Sequence, residues 1–206
     1  MISYNEFNVL SPPRAEKSVP STMLSVYENL NWWAQYKKNG TYNVIYVSPE
    51  KKVVAKTRHL DDHKAWGWSK ETKEPFEALP GKGWYVLCAE LLHSKVPGIR
   101  DVNYLHDVLV YDGEYLLGQT YAQRYQKLQG LFLKAATEKV QTDSHWQLSQ
   151  NLWLARNHKK GFKKIFDAMI DPEDEGIVLK DPNAVLGSAS NRWSVKCRRP
   201  MKNYSF

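Results

Sequence analysis

Two runs of almost unbroken apolar residues, WYVLCAELL at 84–92 and YLHDVLVY at 104–111, constrain this chain more than any other feature. Runs of this length, rich in Val, Leu and Tyr, read as buried strands, and Pro97-Gly98 between them supplies a turn. Further strand patterns accompany them. YNVIYVS at 42–48 and KVVAKT at 52–57, joined by Pro49-Glu50-Lys51, read as a hairpin, and Gly176–Lys180 and Trp193–Arg198 return to the same pattern near the end.

Helical spacing separates these strands. Ser21 or Thr22 can cap a helix with Leu24, Tyr27, Leu30 and Trp33 on one face, which would deliver the chain to Tyr36 and place Lys37 between a helix and a strand. Residues 61–83 are polar and rich in Trp, Gly and Pro, a surface excursion with one short helix. The spacing predicts helix over 121–137 and over much of 145–169, through Leu148, Leu152, Ile165 and Met169, with a break at 157–161. Residues 1–20, with Pro12, Pro13 and Pro20, read as an irregular arm. Without repeats, low-complexity blocks or a linker, the reading is a single α+β domain over 1–206, with antiparallel sheets flanked by helices.

Composition narrows the partners. In 206 residues, 42% hydrophobic and 25% charged, no apolar stretch is long enough for a membrane span and the start lacks the apolar core of a signal peptide, so a soluble cytoplasmic protein is expected. Cys88 and Cys197 have no partner spacing and read as free thiols. The balance of 29 basic against 22 acidic residues gives +7 and favours a polyanionic partner. Arg192, Lys196, Arg198, Arg199 and Lys202 crowd the last fifteen residues, as a phosphate-facing end or, for Arg199 and Lys202, as a solvated tail.

Five short segments carry candidate chemistry. Lys37-Lys38-Asn39-Gly40 is either a polar turn or a nucleophilic lysine beside a close backbone approach, with Lys38 or another lysine helping to disfavour the charged amine. Glu90 is a carboxylate in an apolar strand, facing solvent or paired. His106 in LHDVLVYDG is a core or edge residue, or a ring that stacks on a nucleobase. Glu175 and Lys180 bracket the strand EGIVLK, as ordinary charged ends or as groups for a metal and a phosphate. Lys196 and Arg198 share one strand face by the period of two, and an anion between them would relieve their repulsion.

In their order and spacing, from about Trp33 to Arg198, these segments resemble the motifs of the covalent nucleotidyltransferases: ATP-dependent DNA ligases, RNA ligases and mRNA capping enzymes. KKNG is similar to the family's Lys-x-Asp/Asn-Gly motif, which implies that Lys37 takes AMP as a phosphoramidate, with Gln35, Tyr36 and Gly40 beside the nucleotide. The same likeness gives Arg58 the place of the next motif's arginine and Glu90 that of the ribose-holding carboxylate. It implies base stacking for His106, metal handling for Glu175, and phosphate contacts for Lys180, Lys196 and Arg198. EGIVLKDPNA followed by RWSVK, with DVLVYDG and Arg124, looks more like a DNA ligase than a capping enzyme.

The resemblance thus implies an ATP- and Mg²⁺-dependent DNA ligase of repair or replication, with three departures from the family's usual pattern: Asn39 replaces the commoner aspartate, Tyr42 stands where many DNA ligases carry arginine, and the Trp193 to Lys196 spacing is one residue longer. An RNA ligase and an inactive nucleic-acid-binding protein on the same fold are the alternatives. The chain stops soon after Arg198, so the OB-fold domain of the family is expected to be missing, leaving a monomeric minimal ligase, an adenylation fragment, or a protein that takes its clamp from a partner on nicked DNA or RNA.

Overall fold

The computed structural model describes residues 13–64, 66–134, 136, 138–187 and 193–200; Pro12, Arg192 and Lys202 lie outside them. In chain order the elements are β1 (Lys17–Ser18), a 3-10 turn (Ser21–Met23), α1 (Leu24–Asn29), β2 (Trp33–Lys38), β3 (Thr41–Val47) and β4 (Val53–Lys56). Then come α2 (Lys70–Glu77), β5 (Tyr85–Leu92), β6 (Val102–Tyr111), β7 (Glu114–Tyr115) and α3 (Tyr121–Phe132). The chain continues through β8 (Val140–Gln141), β9 (His145–Gln147), β10 (Leu152–Ala155), α4 (Phe162–Asp167), β11 (Asp174–Lys180) and β12 (Ser194–Arg198).

The elements form two sheets. An eight-stranded sheet runs β4-β3-β5-β6-β10-β9-β8 with β7 on β6, and a four-stranded sheet runs β1-β12-β11-β2. The two apolar runs become β5 and β6 at the centre of the larger sheet, where α3 packs Tyr121, Tyr125, Leu128 and Phe132 on the same core as Leu87, Leu105 and Leu109. A second core under the smaller sheet gathers Leu24, Ala34, Phe162, Ile177, Leu179, Val195 and Cys197. This is the α+β architecture expected, with one amendment: β10 joins β6, and β1 joins β12, in parallel.

Two helical expectations fail for local reasons. α1 stops at Asn29 because Asn31 takes a left-handed conformation, φ +57°, which asparagine tolerates and which ends a helix. Trp33 therefore opens a strand, and Lys37 sits on β2 rather than between a helix and a strand. In 145–169, Leu148 and Leu152 are spaced like helix positions but flank a turn at 149–151, and β9 and β10 pair antiparallel on either side of it. Only Phe162–Asp167 is α-helical there. No described helix is long and apolar enough to cross a membrane.

Candidate active site

A cavity of about 790 Å³ opens between the two sheets. Gln35, Tyr36, Lys37, Gly40, Arg58, Glu90, His106, Glu175, Lys180, Lys196 and Arg198 all line it, so the residues to which the resemblance gave a place at the nucleotide meet in one cavity.

Strand alternation and one irregularity set the floor of this cavity. On β2, Lys37 faces Glu175 and Lys38 turns the other way, buried against Asp174 at 2.7 Å and Glu173 at 3.6 Å. Lys38 is thus committed to these two carboxylates. β11 pairs Asp174 with Lys38 and Gly176 with Lys37, so Glu175 is the extra residue of a bulge. The bulge aims its carboxylate at the Lys37 ammonium, which donates a hydrogen bond to Oε2, and Arg198 Nε lies 3.6 Å from the same oxygen. The Lys37 side chain remains 20% exposed, open to the cavity, whereas Glu175 is only 5% exposed.

The turn after Lys37 is held tightly. Asn39 donates its N–H to the Glu173 carbonyl at 2.7 Å, and Lys95 donates to the Gly40 carbonyl. A Cβ on residue 40 would lie 2.6 Å from Glu90 Cγ and 2.6 Å from the Leu91 carbonyl, so only glycine lets β3 cross β5 here. Lys95 had no sequence signal: it comes from the irregular β5–β6 connection, and only the fold brings it to Gly40.

Glu90 is the most perturbed acid in the cavity. Burial pushes its carboxyl up to about 7, against the pull of Lys37 and Lys95 and with repulsion from Glu175. The folded protein binds this proton more tightly than the unfolded chain, so Glu90 lowers stability as pH rises from about 4.5 through about 7. By linkage the effect is on the order of 3 kcal/mol before water in the open cavity reduces it. Comparing the change in Tm from pH 5 to pH 8 in wild type and Glu90→Gln should show the wild-type loss shrinking in the variant; equal changes would contradict it.

On the wall opposite, burial and Lys180 drive His106 down to about 3, so the ring is neutral; it meets Tyr42 edge-on at 5.5 Å, and its Nδ1 is buried without a hydrogen-bond partner. Burial brings Lys180 down to about 8, with Arg124 helping and Asp107 opposing. Its ammonium lies 4.5 Å over the Tyr121 ring. Arg124, noted in the sequence, grips buried Asp107 through two hydrogen bonds of 3.0 and 2.9 Å and fixes α3 to β6. Lys196 and Arg198 share the cavity face of β12, while Val195 and Cys197 point into the core beneath. Burial lowers the Lys196 pKa, with Arg198 and Lys37 adding to it. Arg58 stands at the mouth, donating to the His59 ring at 2.9 Å. At Gln35 the amide Nε2 is buried without a partner at the cavity wall, a free donor for a ligand.

The arrangement joins a lysine amine on a rigid strand, a carboxylate aimed at it, a second carboxylate that gains or loses a proton near neutrality, and cations from two further strands. Such a set suits transfer of a phosphoryl group to the amine.

The sequence profile of the ATP dependent DNA ligase domain matches residues 92–196. No curated protein sequence matches. Among solved structures, mycobacterial DNA ligase D complexed with ATP and MES superposes with a TM-score of 0.65 at 18% identity, over 94% of this chain and 61% of that one. The ATP-dependent DNA ligase of bacteriophage T7 in complex with ATP follows at 0.58 and 11%, over 91% and 68%. An archaeal ATP-dependent RNA ligase reaches 0.50 at 15%, over 91% and 48%. At these identities the likeness is one of fold, and the present chain spans about three fifths of the mycobacterial ligase.

Proposed function

We propose a reaction for this chain on the premise that it belongs to the ATP-dependent DNA ligase domain family. The neutral Lys37 amine attacks the α-phosphorus of ATP, a nitrogen–phosphorus bond forms, and the bond to the bridging oxygen breaks to release pyrophosphate. Glu175 is the acceptor nearest the departing ammonium proton. AMP then passes to a 5′-phosphate, and a 3′-hydroxyl displaces it as the strand is sealed.

The observation that carries this reading is the pairing of Lys37 with a bulged Glu175 on the floor of a cavity whose other walls bring Lys180, Lys196 and Arg198. Catalysis by such a site is positioning and charge stabilisation. Glu90 offers an acceptor for ribose hydroxyls, His106 and Tyr42 an aromatic corner for the base, and Gln35 a donor to the base edge.

Mg²⁺ binds through one or two carboxylates together with substrate phosphates, and Glu175, a buried carboxylate facing the cavity, fits that role. The ion would supply neutralisation of charge on the leaving phosphates. The acidic group Asp171, Glu173 and Asp174 is a separate cluster, with Asp174 committed to Lys38.

Nicked DNA is the substrate we favour, on the family of residues 92–196 and the net charge of +7. Asn39 and the archaeal RNA ligase among the structural neighbours support RNA as the second reading. The test is incubation with α-labelled ATP or GTP and Mg²⁺, followed by denaturation. Covalent label from ATP and not GTP is expected, and nicked DNA should discharge it faster than nicked RNA. An unlabelled protein would sink the proposal, and faster discharge by RNA would reverse the choice of substrate.

A further inference from the structure

Residues 13–19 run past the cavity and along the edge of the smaller sheet. β1 runs parallel to the outer edge of β12 with Ser18 in register with Lys196, and Val19 donates its N–H to the Lys196 carbonyl at 2.9 Å. Upstream, the Tyr42 hydroxyl donates to the Pro13 carbonyl at 3.2 Å. The strap is therefore tied at both ends to elements of the site, and between the ties Pro13, Arg14 and Ala15 line the cavity. Tyr42 thus serves as an anchor for the strap.

The cations of this cavity are committed to different degrees. Arg124 is locked to buried Asp107, and Lys37 is bonded to Glu175. Arg14 pairs with Glu16 through Nε at 3.0 Å and its terminal nitrogen at 2.8 Å, but both side chains are nearly half exposed. An exposed pair two residues apart contributes little, whereas a guanidinium offers a phosphate two parallel charge-assisted hydrogen bonds. Glu16 also attracts Lys196, so this carboxylate lies near the cations of β12 where an incoming phosphate would be drawn.

We propose that Arg14, carried by the strap of residues 13–19, is a phosphate-binding residue of this cavity, and that Glu16 holds its guanidinium until a phosphate displaces the carboxylate. The phosphate is either in the triphosphate of the nucleotide or at the 5′ end of the strand, an identification that rests on the reaction proposed above.

Calorimetric titration of the full chain with inorganic pyrophosphate tests the residue itself. Arg14→Ala should weaken binding roughly five- to tenfold, the loss of one charge-assisted contact. Glu16→Gln should tighten it by about twofold, because the competitor is gone. That opposite sign separates a ligand from a structural pair, which would weaken binding in both variants. No pyrophosphate binding by wild type, Arg14→Ala within twofold of wild type, or weaker binding by Glu16→Gln would each overturn the assignment. The source is then read from KM: a rise for ATP in label formation by Arg14→Ala identifies the triphosphate, and a rise for nicked duplex with the AMP-loaded protein identifies the 5′-phosphate. A wild type that binds pyrophosphate but takes no label would remove the adenylation reading and leave the titration to decide Arg14.

Discussion

Lys37→Arg should retain the wild-type fold and lose covalent labelling from α-labelled ATP, by on the order of a thousandfold or more. Arginine preserves the charge and can bond Glu175, but its guanidinium stays protonated and has no free pair with which to attack phosphorus. Lys37→Ala should lose label equally and cost a little stability, because Glu175 then loses its ammonium partner and keeps the looser contact with Arg198, at 3.6 Å. Measuring label and Tm on both variants separates nucleophile from ion-pair partner. If Lys37→Arg still took label, the AMP would be on another lysine of the cavity, with Lys95, Lys180 and Lys196 the candidates in reach of the same space.

How far the sequence led depends on which physical signal was local. The central strands β5 and β6 and the β3–β4 hairpin were legible because buried strands show unbroken apolar runs and turn residues bound them. Lys196 and Arg198 were placed on one face by the period of two, and the cavity bears this placement out. The region 145–169 was misread because two leucines four residues apart satisfy a helix as well as two strands flanking a turn. The end of α1 depended on a single left-handed asparagine, which propensity does not announce.

The site shows the same division. Lys37, Glu90, His106, Glu175 and Lys180 each had a bland alternative when taken alone, and what gathered the candidates was their order along the chain, through the resemblance. The bulge that turns Glu175 toward Lys37 left no pattern in EGIVLK, because a bulge is defined by the partner strand. Lys95 and Arg14 were invisible for a related reason: each reaches the cavity from an irregular segment, by a contact distant in sequence or by a strap laid along another strand. Arg199, read as either phosphate-facing or part of a loose tail, instead donates to the carbonyls of Met169, Asp171 and Asp174, binding the segment that leads into Glu175.

That segment ends at Gly176, where the largest effect on stability is expected. Its φ is +139°, and a Cβ there would lie 2.0 Å from the Cys197 carbonyl oxygen and 2.9 Å from Arg198 Cα. Both obstacles are backbone of β12, which is itself fixed by its ladder to β11 and by Val195 and Cys197 in the core, so no side chain can swing aside. Gly176→Ala therefore combines a disfavoured conformation with overpacking, together on the order of 3–5 kcal/mol. For a chain of this size that corresponds to a fall in Tm of roughly 10–15 °C. The only relief is for β12 to move away from β11, which would carry Lys196 and Arg198 off the cavity wall and free Glu175 from its bulge. At temperatures where the variant is still folded, label formation should therefore fall further than the folded fraction does. A Tm within about 3 °C of wild type would show that the strands tolerate the added methyl, and that the clearance at residue 176 does not hold the site together.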